Sequence, residues 1–150
     1  MGITAVSHLA IGVREIETSL RFYRDFLGLR VTADWVQEFT DFTNQTEVRR
    51  RTVWMRWGEG PRDSAIVLDQ LIQPESKDAR AELYDLGVHH FSFWVDDIDA
   101  FLGNAEQYGV SLLFPHTADT SDYGEPAGGK IRSVFMRDPD GNFVQLDQRA

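Results

Sequence analysis

The chain has 150 residues, enough for one domain or for two small modules. Its 15 basic and 24 acidic residues give a net charge of −9, which disfavours nucleic acid and anionic membranes as partners because both need a basic surface. The absence of cysteine excludes disulfides and thiolate chemistry, while 42% apolar and 12% aromatic residues predict a packed core.

The N-terminal sequence predicts a cytoplasmic protein. Residues 1–13 lack the basic start and the long apolar stretch of a signal peptide. No apolar run approaches the roughly 18–20 residues that a membrane-spanning helix needs. We therefore expect a soluble protein without a membrane partner.

The first half of the chain has the pattern of one strand, one helix and three further strands. Residues 5–13 alternate in polarity, as strands do. Apolar residues then recur at helical spacing from Ile16 to Leu27, and Gly28 marks the helix end. Residues 38–46 are polar and predict a loop or an edge. The further strands are predicted at residues 29–35, 48–57 and 65–71.

The same order returns in the second half. A strand is predicted at residues 88–95, followed by a helix over 98–108 that ends at Gly109. Residues 115–129 contain three glycines and two prolines and predict a long loop. The polar segment 76–86 predicts a helix that connects the halves. The remaining strands are predicted at residues 110–114, 132–137 and 143–148.

Direct similarity between the halves indicates a duplicated module. His8 aligns with His90, residues 51–56 (RTVWMR) align with 132–137 (RSVFMR), and residues 65–70 (AIVLDQ) align with 143–148 (FVQLDQ). The hairpin before residue 65 must then be about three residues longer than its counterpart, a type I turn with the sequence DPDG. We predict an α+β fold with a first βαβββ module at residues 1–73, a connecting segment at 74–87 and a second module at 88–150.

These motifs resemble the vicinal oxygen chelate superfamily, the group of glyoxalases, bleomycin resistance proteins and extradiol dioxygenases. The resemblance rests on the segments SHLA at residues 7–10, HHFS at 89–92 and RDPDGN at 137–142. It implies two tandem βαβββ modules whose curved mixed sheets enclose a shared cavity that usually holds a divalent metal. It also implies a homodimer.

The metal ligands that the resemblance implies form an incomplete set. The family takes ligands from the first and last strands of each module, and the matching positions here are His8, Val67, His90 and Gln145. Valine has no donor atom, so two imidazoles and one amide remain. The cofactor is therefore either a divalent metal (Fe, Mn, Zn, Ni or Co) held by His8, His90 and Gln145, or none.

Three residues near these positions are expected to have lesser roles. Strand alternation places Asp69 and Asp147 about 7 Å beyond Val67 and Gln145 on the same faces. We expect them to support the ligands, or to replace a ligand if the strand carries a bulge. His89 is expected to point to the face opposite His90.

Strand positions that face away from the helices are expected to line the cavity. Trp94 shares the face of His90, and Tyr123 in the long loop is predicted to contact the substrate. The aromatic side chains favour an aromatic or bulky apolar ligand. Arg56 and Arg137 are expected either to bind a carboxylate or phenolate, or to pair with the two aspartates. The other cavity positions are Thr52, Trp54, Ser133 and Phe135.

Four functions remain open. The leading hypothesis is a metal-assisted isomerase or lyase that acts on a carbonyl- or enol-containing substrate, with His8, His90 and Gln145 as catalytic residues. A metal-free binding protein of the drug-sequestering kind is the alternative, and Val67 favours it. An extradiol-type dioxygenase is disfavoured by the missing carboxylate ligand. A metal-free enzyme would use the two histidines as acid and base. The histidine pair favours an enzyme.

Overall fold

The computed structural model of the chain describes residues 2–60, 63–77, 82–83 and 85–150. The chain forms two compact units, Met1–Asp78 and Ala79–Ala150, which we call unit 1 and unit 2 and describe each by itself. In the residues that the structure describes, each unit contains a four-stranded mixed sheet and one α-helix. In the described part of the chain, no helix has the length and apolar character needed to span a membrane.

Unit 1 follows the predicted order of elements. Its sheet has the strand order β1-β4-β3-β2, in which β1 and β4 are parallel and the other neighbours are antiparallel. Its elements are β1 (His8–Val13), α1 (Ile16–Leu20), a π-helical continuation (Arg21–Phe26), β2 (Arg30–Thr40), β3 (Glu47–Arg56) and β4 (Ala65–Gln73).

Unit 2 repeats this topology. Its sheet has the strand order β5-β8-β7-β6, again with the first pair parallel. Its elements are β5 (His90–Trp94), α2 (Ile98–Asn104), a 3-10 turn (Glu106–Tyr108), β6 (Leu112–Asp119), a second 3-10 turn (Thr120–Tyr123), β7 (Lys130–Arg137) and β8 (Phe143–Arg149).

The first residue of each helix is hydrogen-bonded to a glutamine side chain from the last strand of its sheet. The side-chain oxygen of Gln70 accepts a hydrogen bond from the backbone N–H of Ile16 at 3.1 Å, and that of Gln148 accepts one from Ile98 at 2.8 Å. The first N–H groups of a helix have no partner within the helix, so these contacts satisfy a donor that would otherwise be unpaired. The repeated glutamine therefore fixes where each helix begins against its sheet.

The core of each unit lies between its helix and one face of its sheet. In β3, Val53 and Met55 are fully buried, and in β7 Val134 and Met136 take the equivalent places. Alternation along the strands then turns the neighbouring residues to the opposite face. The remaining core residues of the helices and last strands include Ile16, Leu20, Tyr23, Leu68, Ile98, Val144 and Leu146.

The tandem βαβββ architecture that the sequence predicts is confirmed. The first hairpin has eight residues (57–64) against five (138–142) in the second, as the alignment requires. The short turn closes with a hydrogen bond from the N–H of Gly141 to the carbonyl of Asp138 at 2.9 Å.

Two local predictions need comment. The long loop predicted over 115–129 is wrong, because β6 continues to Asp119 and a 3-10 turn follows it directly. Of the helix predicted over 76–86, residues 78–81 and 84 lie outside the described residues, and the described ones are not helical.

Candidate functional site

The face of the unit 2 sheet opposite α2 gathers most of the predicted site residues. Side chains directly across from each other on neighbouring strands share a face, and the register pairs Gln145 with both Ser92 and Phe135, and Asp147 with both Trp94 and Ser133. We call this the site face of unit 2. Its members are His90, Ser92, Trp94, Ser133, Phe135, Phe143, Gln145 and Asp147.

Asp147 is the centre of a buried hydrogen-bond network. Its side chain is 2% exposed. One carboxylate oxygen accepts hydrogen bonds from Ser133 at 2.5 Å, Gln145 at 2.7 Å and Tyr123 at 2.8 Å, and the other accepts one from Ser92. All four partners are neutral. A buried charge is tolerated only where such donors replace water, so this network is what permits an aspartate here.

The network fixes the orientation of Gln145. A carboxylate only accepts hydrogen bonds, so the amide nitrogen of Gln145 must face Asp147. The same nitrogen also donates to the hydroxyl of Tyr123 at 3.0 Å. The amide oxygen of Gln145 is consequently the atom turned away from the network, and it is the one group of this side chain that could bind a ligand.

Tyr123 covers the network from the 3-10 turn after β6. Burial raises the pKa of its phenol, and the Asp147 carboxylate raises that pKa further. The hydroxyl therefore stays protonated at neutral pH. The ring of Tyr123 lies 5.9 Å from that of Trp94, whose side chain is 55% exposed. The prediction placed Tyr123 at the site, and the structure brings it onto the site face.

His90 lies at the start of β5 with His89 against it. The two Nδ1 atoms are 2.7 Å apart, so one of them must carry a proton and donate to the other. Burial lowers the pKa of His90 and the neighbouring His89 lowers it further, while Asp147 opposes both effects. The prediction that His89 points to the opposite face is wrong, because β5 begins at His90 and strand alternation does not extend to His89.

Phe135 is the aromatic centre of the site face. Its ring centroid lies 5.4 Å from that of His90 and 6.5 Å from that of Phe143. His116 stacks nearly parallel to it at 6.3 Å, from the neighbouring strand β6. Three of the four histidines in the chain, His89, His90 and His116, therefore lie in or beside this aromatic group. The prediction chose Tyr123 from the same segment but left out His116, whose position beside Phe135 depends on the pairing of β6 with β7.

The equivalent face of unit 1 is chemically simpler. The ring of His8 lies 4.9 Å from that of Trp54, and Val67, the register partner of Trp54, is 3% exposed. Asp69 accepts hydrogen bonds from Thr52 at 2.7 Å and from Arg50 at 3.1 Å. The carboxylate of unit 1 thus has a cation beside it, whereas the hydrogen-bond partners of Asp147 are neutral.

The predicted pairing of Arg56 and Arg137 with the aspartates is wrong. Arg56 donates to the carbonyl of Asp63 and to Thr32, and its guanidinium lies 5.6 Å from the ring of Trp54. The register explains this result, because Arg56 lies opposite Ala65, four pairs along the ladder from Thr52 and Asp69.

Arg137 lies at the edge of the site face. Its guanidinium stacks 3.9 Å from the ring of Phe143 and forms an ion pair with Glu82 at 2.6 Å. Its register partner is Phe143, again four pairs from the aspartate of its unit. The network of Asp147 is therefore built without either predicted arginine.

The described residues do not fit a divalent metal. Among residues 2–60, 63–77, 82–83 and 85–150, no group of three or more His, Cys, Asp or Glu side chains lies together in a way that could hold a metal ion. At the two last-strand positions, Val67 has no donor and Gln145 offers a neutral amide oxygen. The nearby carboxylates of Asp69 and Asp147 are occupied by their own partners. The predicted ligand set of His8, His90 and Gln145 stays a prediction.

The fold and the sequence together define the family. Residues 5–146 match the family model of the Glyoxalase/Bleomycin resistance protein/Dioxygenase superfamily, and the chain belongs to this superfamily. Members of this superfamily often use divalent metals.

Relatives and solved structures agree with this assignment. YaeR of Escherichia coli strain K12, described as uncharacterized, is 29% identical over 148 residues, covering 97% of each chain. A glyoxalase family protein from Bacillus cereus has a similar structure, with a TM-score of 0.77 at 17% identity over 99% of this chain and 96% of its own. TnmS3, an antibiotic binding protein from Streptomyces sp. CB03234, gives a TM-score of 0.61 at 20% identity over 100% and 99%. The two structural likenesses support the fold alone.

Proposed function

We propose that the chain binds a small molecule with an aromatic or bulky apolar part on the site face of unit 2. The observation that carries this proposal is the group of rings around Phe135, with the exposed ring of Trp94 beside a buried polar network. Small-molecule sites combine apolar walls with a few fixed polar groups, and this face has both.

The polar groups of the site face can orient a bound ligand. Ser92, Ser133 and Gln145 all converge on Asp147, and their positions are set by three neighbouring strands. Groups held on strands lose little freedom when a ligand binds, so a hydroxyl or carbonyl of the ligand would meet a preorganised surface. The net charge of −9 favours a neutral or cationic ligand over an anionic one.

A second candidate function is proton transfer to or from the bound molecule, and the position of His90 on the site face, with its ring 5.4 Å from that of Phe135, favours it. Its lowered pKa keeps the ring neutral at pH 7, and a neutral imidazole can act as a base. This role corresponds to the metal-free acid–base enzyme among the predicted functions. The isomerase or lyase reaction on a carbonyl- or enol-containing substrate stays a proposal within it.

The donor set does not support the metal-assisted version of this chemistry. His90 and the amide oxygen of Gln145 carry no charge to offset a divalent cation, and no carboxylate ligand is available on the site face without breaking the Asp147 network. We therefore place the dioxygenase and metal-assisted lyase hypotheses behind metal-free binding. The homodimer and the cytoplasmic location remain expectations from the sequence.

Binding of N-phenyl-1-naphthylamine, a neutral aromatic dye whose emission rises in apolar surroundings, tests the proposal. We expect Trp94→Ala and Phe135→Ala to weaken binding about tenfold, since each removes an aromatic wall. Trp57→Ala is the matched control, because Trp57 is also 55% exposed but lies in unit 1. Equal loss in Trp94→Ala and Trp57→Ala, or binding unaffected by either site substitution, would contradict the proposal.

A further inference from the structure

The hydroxyl of Tyr123 lies in a complete recognition site for a phenol. It accepts a hydrogen bond from the amide nitrogen of Gln145 at 3.0 Å, donates one to Asp147 at 2.8 Å, and lies 2.8 Å from the hydroxyl of Ser133. The ring of Trp94 stands beside the phenol ring at 5.9 Å, tilted by 43°. A donor, an acceptor and an aromatic wall thus surround one phenol group.

Tyr123 is the one residue of this hydrogen-bond network that does not lie on a strand. Ser92, Ser133, Gln145 and Asp147 belong to the neighbouring strands β5, β7 and β8, and their mutual contacts are set by the register of the sheet. Tyr123 comes from the connection between β6 and β7. The strand residues can therefore keep their places when the tyrosine leaves.

Comparison with unit 1 explains why this site needs a hydroxyl. Asp69 is satisfied by Thr52 and by the cation of Arg50, both from its own sheet. The repeat places Ile131 where unit 1 has Arg50. Asp147 consequently depends on neutral donors, and a hydroxyl from a ligand can replace a hydroxyl of the protein without changing the charge balance.

The turn that carries Tyr123 is joined to β8 at the surface by an ion pair. Glu125 and Arg149 form an ion pair at 2.5 Å, with side chains that are 36% and 55% exposed. The pair is bidentate, with its second contact at 2.8 Å, but both side chains are open to solvent, which screens its contribution to stability. Arg149 also lies 4.7 Å from the ring of Trp94. The same residue therefore contacts both the turn that carries Tyr123 and the aromatic wall.

We propose that Ser92, Ser133, Gln145 and Asp147 form a binding site for the hydroxyl of a phenol, and that Tyr123 occupies this site until such a ligand displaces it. This inference rests on the proposed function, because it names the chemical class of the molecule bound on the same face. It assigns Asp147 the role of the residue that selects hydroxyl-bearing aromatics.

The test compares p-cresol with toluene, which are the side chains of tyrosine and phenylalanine as free molecules. The variant Tyr123→Phe keeps the ring but removes the hydroxyl that competes for Asp147. We expect p-cresol to bind this variant about tenfold more tightly than the wild type, with no such gain for toluene, because a site built for a hydroxyl rejects an analogue that lacks it. Titration followed by ¹H–¹⁵N spectra measures both affinities.

Two further variants isolate the cause. Tyr108→Phe removes a phenol hydroxyl from the 3-10 turn after α2 and is expected to leave the affinity for p-cresol unchanged. Asp147→Asn in the Tyr123→Phe background is expected to abolish the preference for p-cresol over toluene. If these variants do not fold, hydrogen exchange on the wild type serves instead: p-cresol, but not toluene, should speed exchange over residues 120–129.

The outcomes separate the inference from the proposed function. Equal binding of p-cresol and toluene at the site face would overturn the phenol site while leaving aromatic binding intact. Binding of neither molecule, together with no binding of the naphthylamine dye, would overturn both. A selective gain for p-cresol in Tyr123→Phe, removed by Asp147→Asn, is the result that supports the inference.

Discussion

The hydroxyl of Tyr123 lies 2.8 Å from a carboxylate oxygen of Asp147, and this contact joins the connection after β6 to the last strand of its sheet. The two residues are 24 positions apart in the chain. Through this pair, a surface turn is coupled to a buried charge whose other partners all lie on strands. Substituting either residue is therefore expected to change the free energy of unfolding, the affinity for a ligand and the conformation of the turn together.

Asp147→Asn should destabilise the protein more than the equivalent change in unit 1. The amide that replaces the carboxylate presents N–H groups to donors, so at least one buried partner loses its acceptor. We expect a loss of about 2–4 kcal/mol in the free energy of unfolding, against about 1 kcal/mol for Asp69→Asn, whose side chain is 21% exposed. Urea denaturation followed by circular dichroism measures both. Equal losses would mean that the network does not carry the stability we assign to it.

Gln145→Glu should also destabilise unit 2. The amide nitrogen that the substitution removes lies 2.7 Å from Asp147, so the new carboxylate would face an existing one. Like charges this close cannot both be ionised without cost, and one of them takes up a proton near neutral pH. We expect a lower melting temperature at pH 7.5 that partly recovers at pH 5.5. Gln107→Glu, an exposed change of the same charge in the same unit, is the control and should show neither effect.

The pH dependence of stability should carry a contribution from His90. Its pKa is lowered below the ordinary value of 6.5 by burial and by His89, so the folded state binds a proton less readily than the unfolded state. The stability linked to neutral His90 is then fully present above about pH 6.5 and is lost as the pH falls through the lowered pKa. His90→Gln should flatten the stability profile between pH 7.5 and 5. Parallel profiles for wild type and His90→Gln would contradict this assignment.

Divalent metals should not be retained at stoichiometric levels. After incubation with Fe, Mn, Zn, Ni or Co and removal of free metal, we expect well below one equivalent per chain, because the candidate donors include no free carboxylate. Elemental analysis of the wild type and of the double variant His8→Ala/His90→Ala provides the measurement. One equivalent in the wild type that disappears in the double variant would restore the metal-assisted hypothesis.

The sequence predicts the fold well because the fold depends on periodicity and on a repeated pattern. The spacing of Ile16, Leu20 and Tyr23 and the alternation of Val53 and Met55 are local signals, and each of these residues is buried. Because the module is duplicated, the order of its elements is predicted from two separate stretches of the sequence. The continuation of β6 to Asp119 is not predicted, because Pro115 and the polar residues after it resemble a loop when no partner strand is considered.

The site was predicted less completely because its contacts depend on register. Strand alternation correctly placed Gln145 and Asp147 on one face, but it could not show that Asp147 would take four neutral partners. It also could not distinguish Arg50 from Arg56 as the partner of Asp69, since that choice depends on which residues lie opposite one another. The contact between His89 and His90 depends on where β5 begins, and a one-residue difference in that boundary reverses the expectation.

The most direct test of the account is to observe the site face while a small aromatic molecule binds. The indole N–H signals of the four tryptophans can be followed in ¹H–¹⁵N spectra during a titration with N-phenyl-1-naphthylamine. The account predicts that the signal of Trp94 shifts with a saturable profile, together with backbone signals of Ser133 and Gln145, while the signal of Trp57 stays in place. Saturable shifts confined to Trp57 and its neighbours, or no saturable shift at Trp94, would contradict it.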